Sequence, residues 1–272
     1  MRAPLRERPE GERRTRQSLL EGSDLGRTAQ PEPRIDHFWQ CRYSYKISSK
    51  VFHFYGASRL QLTVENLRCD RGGRRIFDNV SFGLSDGQAL VVTGRNGAGK
   101  STLLAILSGR LKPTGGKISL SGVSDRTLPE CLHLIGHKEA LKTAMTAREN
   151  LEFAASLLGD ARLSAEDALE HVGLSHAAEM PVAYLSAGQK RRVALARLLV
   201  AHRPLWLLDE PTSALDIASQ QVLFELLNGH IRSGGMVIAA THQELPIDNL
   251  GELRIERPAP RSIEPDFAME GI

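Results

Sequence analysis

The chain has 272 residues, 41% of them hydrophobic and 25% charged, the composition of a soluble globular protein with one large domain or two small ones. Its formal net charge of +3, from 35 basic and 32 acidic residues, is too slight to argue for nucleic acid. No uncharged apolar run approaches the ~18–20 residues that span a bilayer, and three cysteines without a CxxC pair (Cys41, Cys69, Cys131) speak against a disulfide scaffold or structural zinc and fit a reducing compartment.

Residues 1–58 differ from the rest: eleven Lys and Arg stand against seven acids, a net of +4, which leaves −1 for residues 59–272. The opening stretch has no apolar core, so it is not a secretory signal, and Glu7, Glu10 and Glu12 count against a mitochondrial transit peptide. It reads as a disordered or mis-assigned N-terminal extension, either a Pro- and Arg-containing tail or a start placed too far upstream. From Leu60 the texture becomes regular. LQLTVEN alternates like a half-buried strand, and IFDNVSFGLS follows after the turn-forming Gly72-Gly73. QALVVTG (88–94) is a short apolar run of the kind buried on both faces of a sheet, and the apolar helix STLLAILSG follows a glycine-rich turn. KISLSG and CLHLIG read as further strands. Thr146 with Glu149 and Ser164 with Asp167 have capping-box spacing ahead of helical periodicity. After Gly188 the helical QKRRVALARLLVAH runs into the apolar strand LWLLDE. IASQQVLFELLN is another helix, Gly234-Gly235 a turn, and MVIAATH a final buried strand. Strands alternating with helices predict an α/β fold around a mainly parallel sheet, with a helical lobe inserted near 138–190 and a flexible tail at 258–272.

Two segments carry chemistry. Gly94-Arg95-Asn96-Gly97-Ala98-Gly99-Lys100-Ser101 matches GxxxxGK[ST] in full, with Thr102 continuing into the helix. The glycines let backbone N–H groups turn inward around phosphates, and the following helix N-terminus adds its dipole. Lys100 suits the β- and γ-phosphate oxygens of ATP, and the Ser101 hydroxyl suits Mg²⁺. Further on, Asp209 and Glu210 end an apolar strand. In a parallel sheet that strand end lies beside the phosphate loop, where Asp209 suits Mg²⁺ through its water shell and Glu210 suits the role of general base toward water.

The segment Leu185-Ser186-Ala187-Gly188-Gln189 resembles the LSGGQ signature of ATP-binding cassette (ABC) ATPases, followed by a basic helix KRRVALARLL. Ser213-Ala214-Leu215-Asp216 is similar to the family's D-loop, and Thr241-His242 to its switch histidine. The resemblance spans roughly 60–257, so the cassette is placed at 59–257. It implies a P-loop NTPase core with an antiparallel β subdomain and an inserted helical subdomain. It also implies a homodimer that closes on ATP, with the signature of one cassette meeting the nucleotide of the other. Ser186 would cap the signature helix, and His242 would contact the γ-phosphate of its own subunit. Two positions depart from the common pattern. His137 stands where cassettes generally carry a glutamine, and Cys69 stands near the place of the usual aromatic ring under adenine. With the LSAGQ variant, these features resemble the heme-exporter ATPases of cytochrome c maturation. That branch implies ATP hydrolysis at the cytoplasmic face of the bacterial inner membrane, on a peripheral subunit docked to separate membrane-spanning subunits and acting on a heme chaperone indirectly.

The rival readings are the ATPase of another ABC importer or exporter, or a soluble cassette acting on ribosomes or DNA. Ribosome-acting cassettes usually come in pairs on one chain and DNA-acting ones carry a long coiled coil, and this sequence has neither. The signature and switch-histidine segments exclude a P-loop kinase or GTPase. Cys131, His133 and His137 read as alternating strand positions followed by the nucleotide-sensing loop rather than as a heme or metal site. Lys190-Arg191-Arg192 reads as the exposed start of the signature helix rather than as a nucleic-acid contact.

Overall fold

The computed structural model describes residues 59–256 apart from Ser124, so the N-terminal extension (1–58) and the tail (258–272) expected above lie outside the described residues. Strands β1 (Gln61–Arg71), β2 (Arg74–Ser85) and β4 (Gly115–Ser121) form an antiparallel sheet in the order β2-β1-β4. Strands β3 (Ala89–Thr93), β5 (Leu132–Ile135), β6 (Leu205–Asp209), β7 (Met236–Ala240) and β8 (Leu250–Arg254) form a parallel sheet in the order β5-β6-β7-β3-β8. Helices α1 (Lys100–Leu107), α2 (Ala147–Leu158), α3 (Ala165–His171), α4 (Ala187–Val200) and α5 (Ile217–Arg232) complete the α/β architecture. Among the described residues no helix is long and apolar enough to cross a membrane.

The apolar runs of β3, β6 and β7 are buried because both faces of the parallel sheet are covered. Period two divides their side chains between two cores. Leu90, Val92, Leu205, Leu207, Met236 and Ile238 pack with α1 and the antiparallel sheet. Val91, Trp206, Leu208, Val237 and Ala239 pack instead with α4 and α5. A third core joins α2 and α3 to the far side of α4 through Leu151, Leu169, Val193, Ala196 and Leu199. Helix α4 therefore has two apolar faces: Ala194, Leu195 and Leu198 meet the sheet, while Val193, Ala196 and Leu199 meet the helical lobe. Thr146 and Glu149 close a reciprocal capping box on α2, and the Ser164 hydroxyl accepts the Asp167 N–H at the start of α3. A cap of this kind contributes about 1 kcal/mol.

The structure changes three readings. β7 is the last buried strand but not the last strand: β8 pairs in parallel along β3, from Ala89 opposite Leu250 to Thr93 opposite Arg254. Its exposed sequence LGELR has no buried-strand signature, and main-chain pairing rather than hydrophobicity places it. Cys131 ends a 3₁₀ turn (Leu128–Cys131) instead of beginning the strand, which starts at Leu132. The basic run at the start of α4 is not wholly exposed, because Arg191 is buried at 2% exposure.

Two histidines lie deep in this framework. His133 of β5 holds the Ala201 carbonyl through Nε2 at 2.9 Å. His230 of α5 holds the Pro204 carbonyl at 3.1 Å and stacks flat on Trp206, ring centres 3.8 Å apart and planes within 5°. Desolvation lowers the pKa of each imidazole from 6.5 to about 3, with nearby arginine charges adding to the effect. Both stay neutral in the fold but take protons once unfolded. Their stabilising effect is therefore complete above pH 6.5 and is lost as pH falls toward 3. Between pH 7.5 and 5 each site is expected to remove roughly 2 kcal/mol. Urea unfolding midpoints at the two pH values check this, and His133→Gln should flatten the dependence by about half. A midpoint unchanged with pH would contradict it.

Candidate active site

The phosphate loop runs from β3 into α1. Gly99 is the N-cap of α1 at φ 112°, and a Cβ there would stand 2.7 Å from Ile76 Cγ2 and 3.0 Å from Phe77 Cδ1. Only glycine lets the loop turn this close to β2. Lys100 is 7% exposed and its Nζ donates to the Gly94 carbonyl at 2.9 Å, which folds the ammonium back across the mouth of the loop. Asn96, Gly97, Gly99, Lys100, Ser101, Thr102, Asp209, Glu210 and Ile76 line one cavity of about 240 Å³. Arg95 is exposed and Ala98 buried; neither lines it.

Asp209 and Glu210 reach this cavity although β7 separates β6 from β3 in the sheet. The Ser101 hydroxyl donates to Asp209 Oδ1 at 3.1 Å across 108 positions of sequence. Two hard oxygen donors side by side at the phosphate end fit the ligand set of Mg²⁺, which takes a hydroxyl and a carboxylate with water completing the shell. Glu210 adopts φ 46°, a left-handed conformation unusual for a residue with a Cβ. Its Oε2 accepts from the Thr241 hydroxyl at 3.1 Å and its Oε1 meets His242 Nδ1 at 3.2 Å. The Glu210 N–H donates to the Ala240 carbonyl at 2.8 Å, so the end of β7 fixes both main chain and carboxylate.

The other expected residues stand apart from this cavity. In the signature segment Leu185 is buried while Ser186 and Ala187 are exposed. Ser186 and Gln189 form a reciprocal capping box on α4, the Gln189 N–H donating to Ser186 Oγ at 3.2 Å and the Ser186 N–H to Gln189 Oε1 at 2.9 Å. Gly188 lies where a Cβ would be 3.0 Å from the Ala214 carbonyl, which packs the signature onto the following loop. Asp216 caps α5 through the Ser219 N–H at 2.8 Å, and those hydrogen bonds to Ser219 lower its pKa. His137 is exposed just beyond β5. Cys69 does not face the cavity: it is 1% exposed in the main core, opposite Phe77 on β2. The apolar wall of the cavity is Ile76 instead.

The ABC transporter family model matches residues 77–213. The sequence is 50% identical over 197 residues to the cytochrome c biogenesis ATP-binding export protein CcmA of Bradyrhizobium diazoefficiens, covering 72% of this chain and 98% of that protein. This chain belongs to the ABC transporter family. A second relative of the cassette, the protein of the same name from Rhizobium etli, is 48% identical over 206 residues, covering 72% of this chain and 94% of that one. Among solved structures, an ABC transporter ATP-binding protein from Pyrococcus furiosus shares the fold with a TM-score of 0.64 at 24% identity, covering 73% of this chain and all of that one. An ATP-binding cassette solved as a dimer in a post-hydrolysis state with ADP and phosphate superposes with a TM-score of 0.61 at 26% identity, covering 72% of this chain and 97% of that one. The cassette described here is thus a nucleotide-binding ATPase of this family.

Sequence reasoning missed Ile76, gave Thr241 no role of its own and placed Arg191 on the surface. Thr241 is wholly buried under the Glu210 carboxylate, and its only sequence signal was its place beside His242. Ile76 was one apolar position among many. Arg191 was concealed in a basic run.

Proposed function

We propose that this chain is the ATP-hydrolysing subunit of an ABC exporter that handles heme in c-type cytochrome biogenesis. The reading rests above all on 50% identity along nearly the whole length of a cytochrome c biogenesis ATP-binding export protein. The joint occurrence of His137 and the LSAGQ variant supports it, whereas Cys69, enclosed in the main core, adds nothing.

In this reading the backbone N–H groups of Gly94–Thr102 and the α1 N-terminus cradle the phosphates. Lys100 leaves the Gly94 carbonyl for the β- and γ-phosphate oxygens. Ser101 and Asp209 would hold Mg²⁺, which would supply positive charge to offset that developing on the phosphates. Glu210 takes the proton of the water that attacks the γ-phosphorus, while Thr241 and His242 hold the carboxylate in place. His242 also faces the γ-phosphate. The products are ADP, phosphate and the proton carried by Glu210. The capped, outward-facing Leu185–Gln189 segment offers its helix N-terminus to the nucleotide of a second cassette. Asp216 would border the same dimer interface, and His137 would sense nucleotide from the loop after β5. The cassette occupies 59–257 with its lobe at 138–190, works at the cytoplasmic face of the inner membrane on membrane-spanning subunits, and releases a heme chaperone only indirectly.

A strain carrying Glu210→Gln is expected to lose holo c-type cytochromes while b-type cytochromes persist, because a b-type heme is held without covalent attachment. Heme-stained gels beside a total-heme measurement check this. Normal c-type bands would remove the heme-export reading and leave the ATPase intact.

A further inference from the structure

Arg191 lies near the start of α4 and is 2% exposed, yet its hydrogen bonds go to main-chain carbonyls rather than to a carboxylate. Nη1 donates to Gly136 O at 2.8 Å, and Nη2 donates to Asp209 O at 2.9 Å and Glu210 O at 2.7 Å. Nε completes the set at Pro211 O, 3.4 Å away. Three of these carbonyls flank the left-handed turn at Glu210, whose φ is 46°. The fourth belongs to the residue before His137. The Glu139, Asp209 and Glu210 carboxylates lie near enough to favour the cation. Its direct partners are nevertheless neutral carbonyls and burying it is costly, so a fork that binds both segments at once points to a task beyond packing.

We propose that Arg191 is a positioning residue for hydrolysis: its guanidinium holds the backbone turn that aims the Glu210 carboxylate and couples that turn to the loop carrying His137. The proposal rests on Glu210 being the general base. A displacement of the 136–139 loop reaches the carboxylate through one rigid planar group, without passing through the nucleotide. Lysine cannot substitute fully, because a single ammonium on a flexible stem lacks the fork that spans the carbonyls.

The test compares Arg191→Met, Arg191→Lys and Glu210→Gln in the full chain, measuring ATP Kd, kcat, KM and thermal midpoint. Arg191→Met should lower kcat by about 10²-fold, as misplacement of a reacting group by an ångström does, with ATP Kd changed less than about threefold, and Arg191→Lys should fall between it and the parent. Combined with Glu210→Gln, Arg191→Met should cost no further activity. If Arg191→Met does not fold, Arg191→Lys decides, and a folded Arg191→Lys with parental kcat overturns the proposal. So does a variant whose midpoint and ATP affinity fall together while kcat at saturation stays unchanged, which marks a structural role. Parental turnover in Glu210→Gln would instead remove the base assignment beneath it. Parental kcat in Arg191→Met beside an inactive Glu210→Gln would remove only the role of Arg191.

Discussion

Lys100→Ala is expected to reduce ATP hydrolysis by roughly 10²–10³-fold, the loss typical when one preorganised charge contact to a developing anion is removed. The side chain is already nearly dehydrated at 7% exposure, and its Nζ is held by Gly94 O at 2.9 Å. Exchanging that neutral carbonyl for a phosphate oxygen gains a charge-assisted bond. Alanine leaves the glycine turns and the α1 N-terminus intact, so the variant should fold with a thermal midpoint near that of the parent. Steady-state phosphate release from the purified chain is the measurement. Parental turnover would show that the loop does not hold the reacting phosphates.

Glu210→Gln should separate binding from chemistry. The amide has the size of the carboxylate, and its oxygen can still accept from Thr241 Oγ1, which now lies 3.1 Å from Oε2. What disappears is the group proposed to take a proton from water, and general-base catalysis contributes about 10²–10⁴-fold. In the proposed mechanism ATP should then bind, bring two cassettes together and remain uncleaved. Size-exclusion chromatography with and without ATP should show a nucleotide-dependent shift to the dimer in the variant and a transient one in the parent. A variant that turns over normally would place water activation elsewhere.

Much of the site was legible because its chemistry is local in sequence. A phosphate cradle needs glycines at fixed spacing, and a buried strand needs an unbroken apolar run, so β3, β6 and β7 and the residues at their ends could be read directly. Residues placed by tertiary geometry could not. The inward turn of Cys69 depends on irregular β1–β2 pairing, with register shifts between Val64 and Leu67 and again between Leu67 and Cys69, which interrupt simple alternation. Arg191 is buried because the chain at Asp209–Pro211 bends over it, and nothing in KRR marks which of the three basic residues is enclosed. β8 owes its existence to the free edge of β3 and carries little hydrophobic pattern of its own.

The two-faced packing of α4 bears on how such a chain can change over time. From Val193 to Val200 every residue except Arg197 is buried, and Arg197 is itself held by the Glu139 carbonyl at 2.8 Å. A larger side chain at Ala194 pushes on the sheet, and one at Ala196 pushes on the lobe. Neither core can relax without moving the helix that the other is built on. Overpacking at either position costs about 1–3 kcal/mol, and a compensating change on one side does nothing for the other. Neutral drift is thereby turned away from this helix toward surfaces such as the exposed face of α2, where Leu157 already stands in solvent. The helix between the cores is where this chain has the least room for a change of side-chain volume.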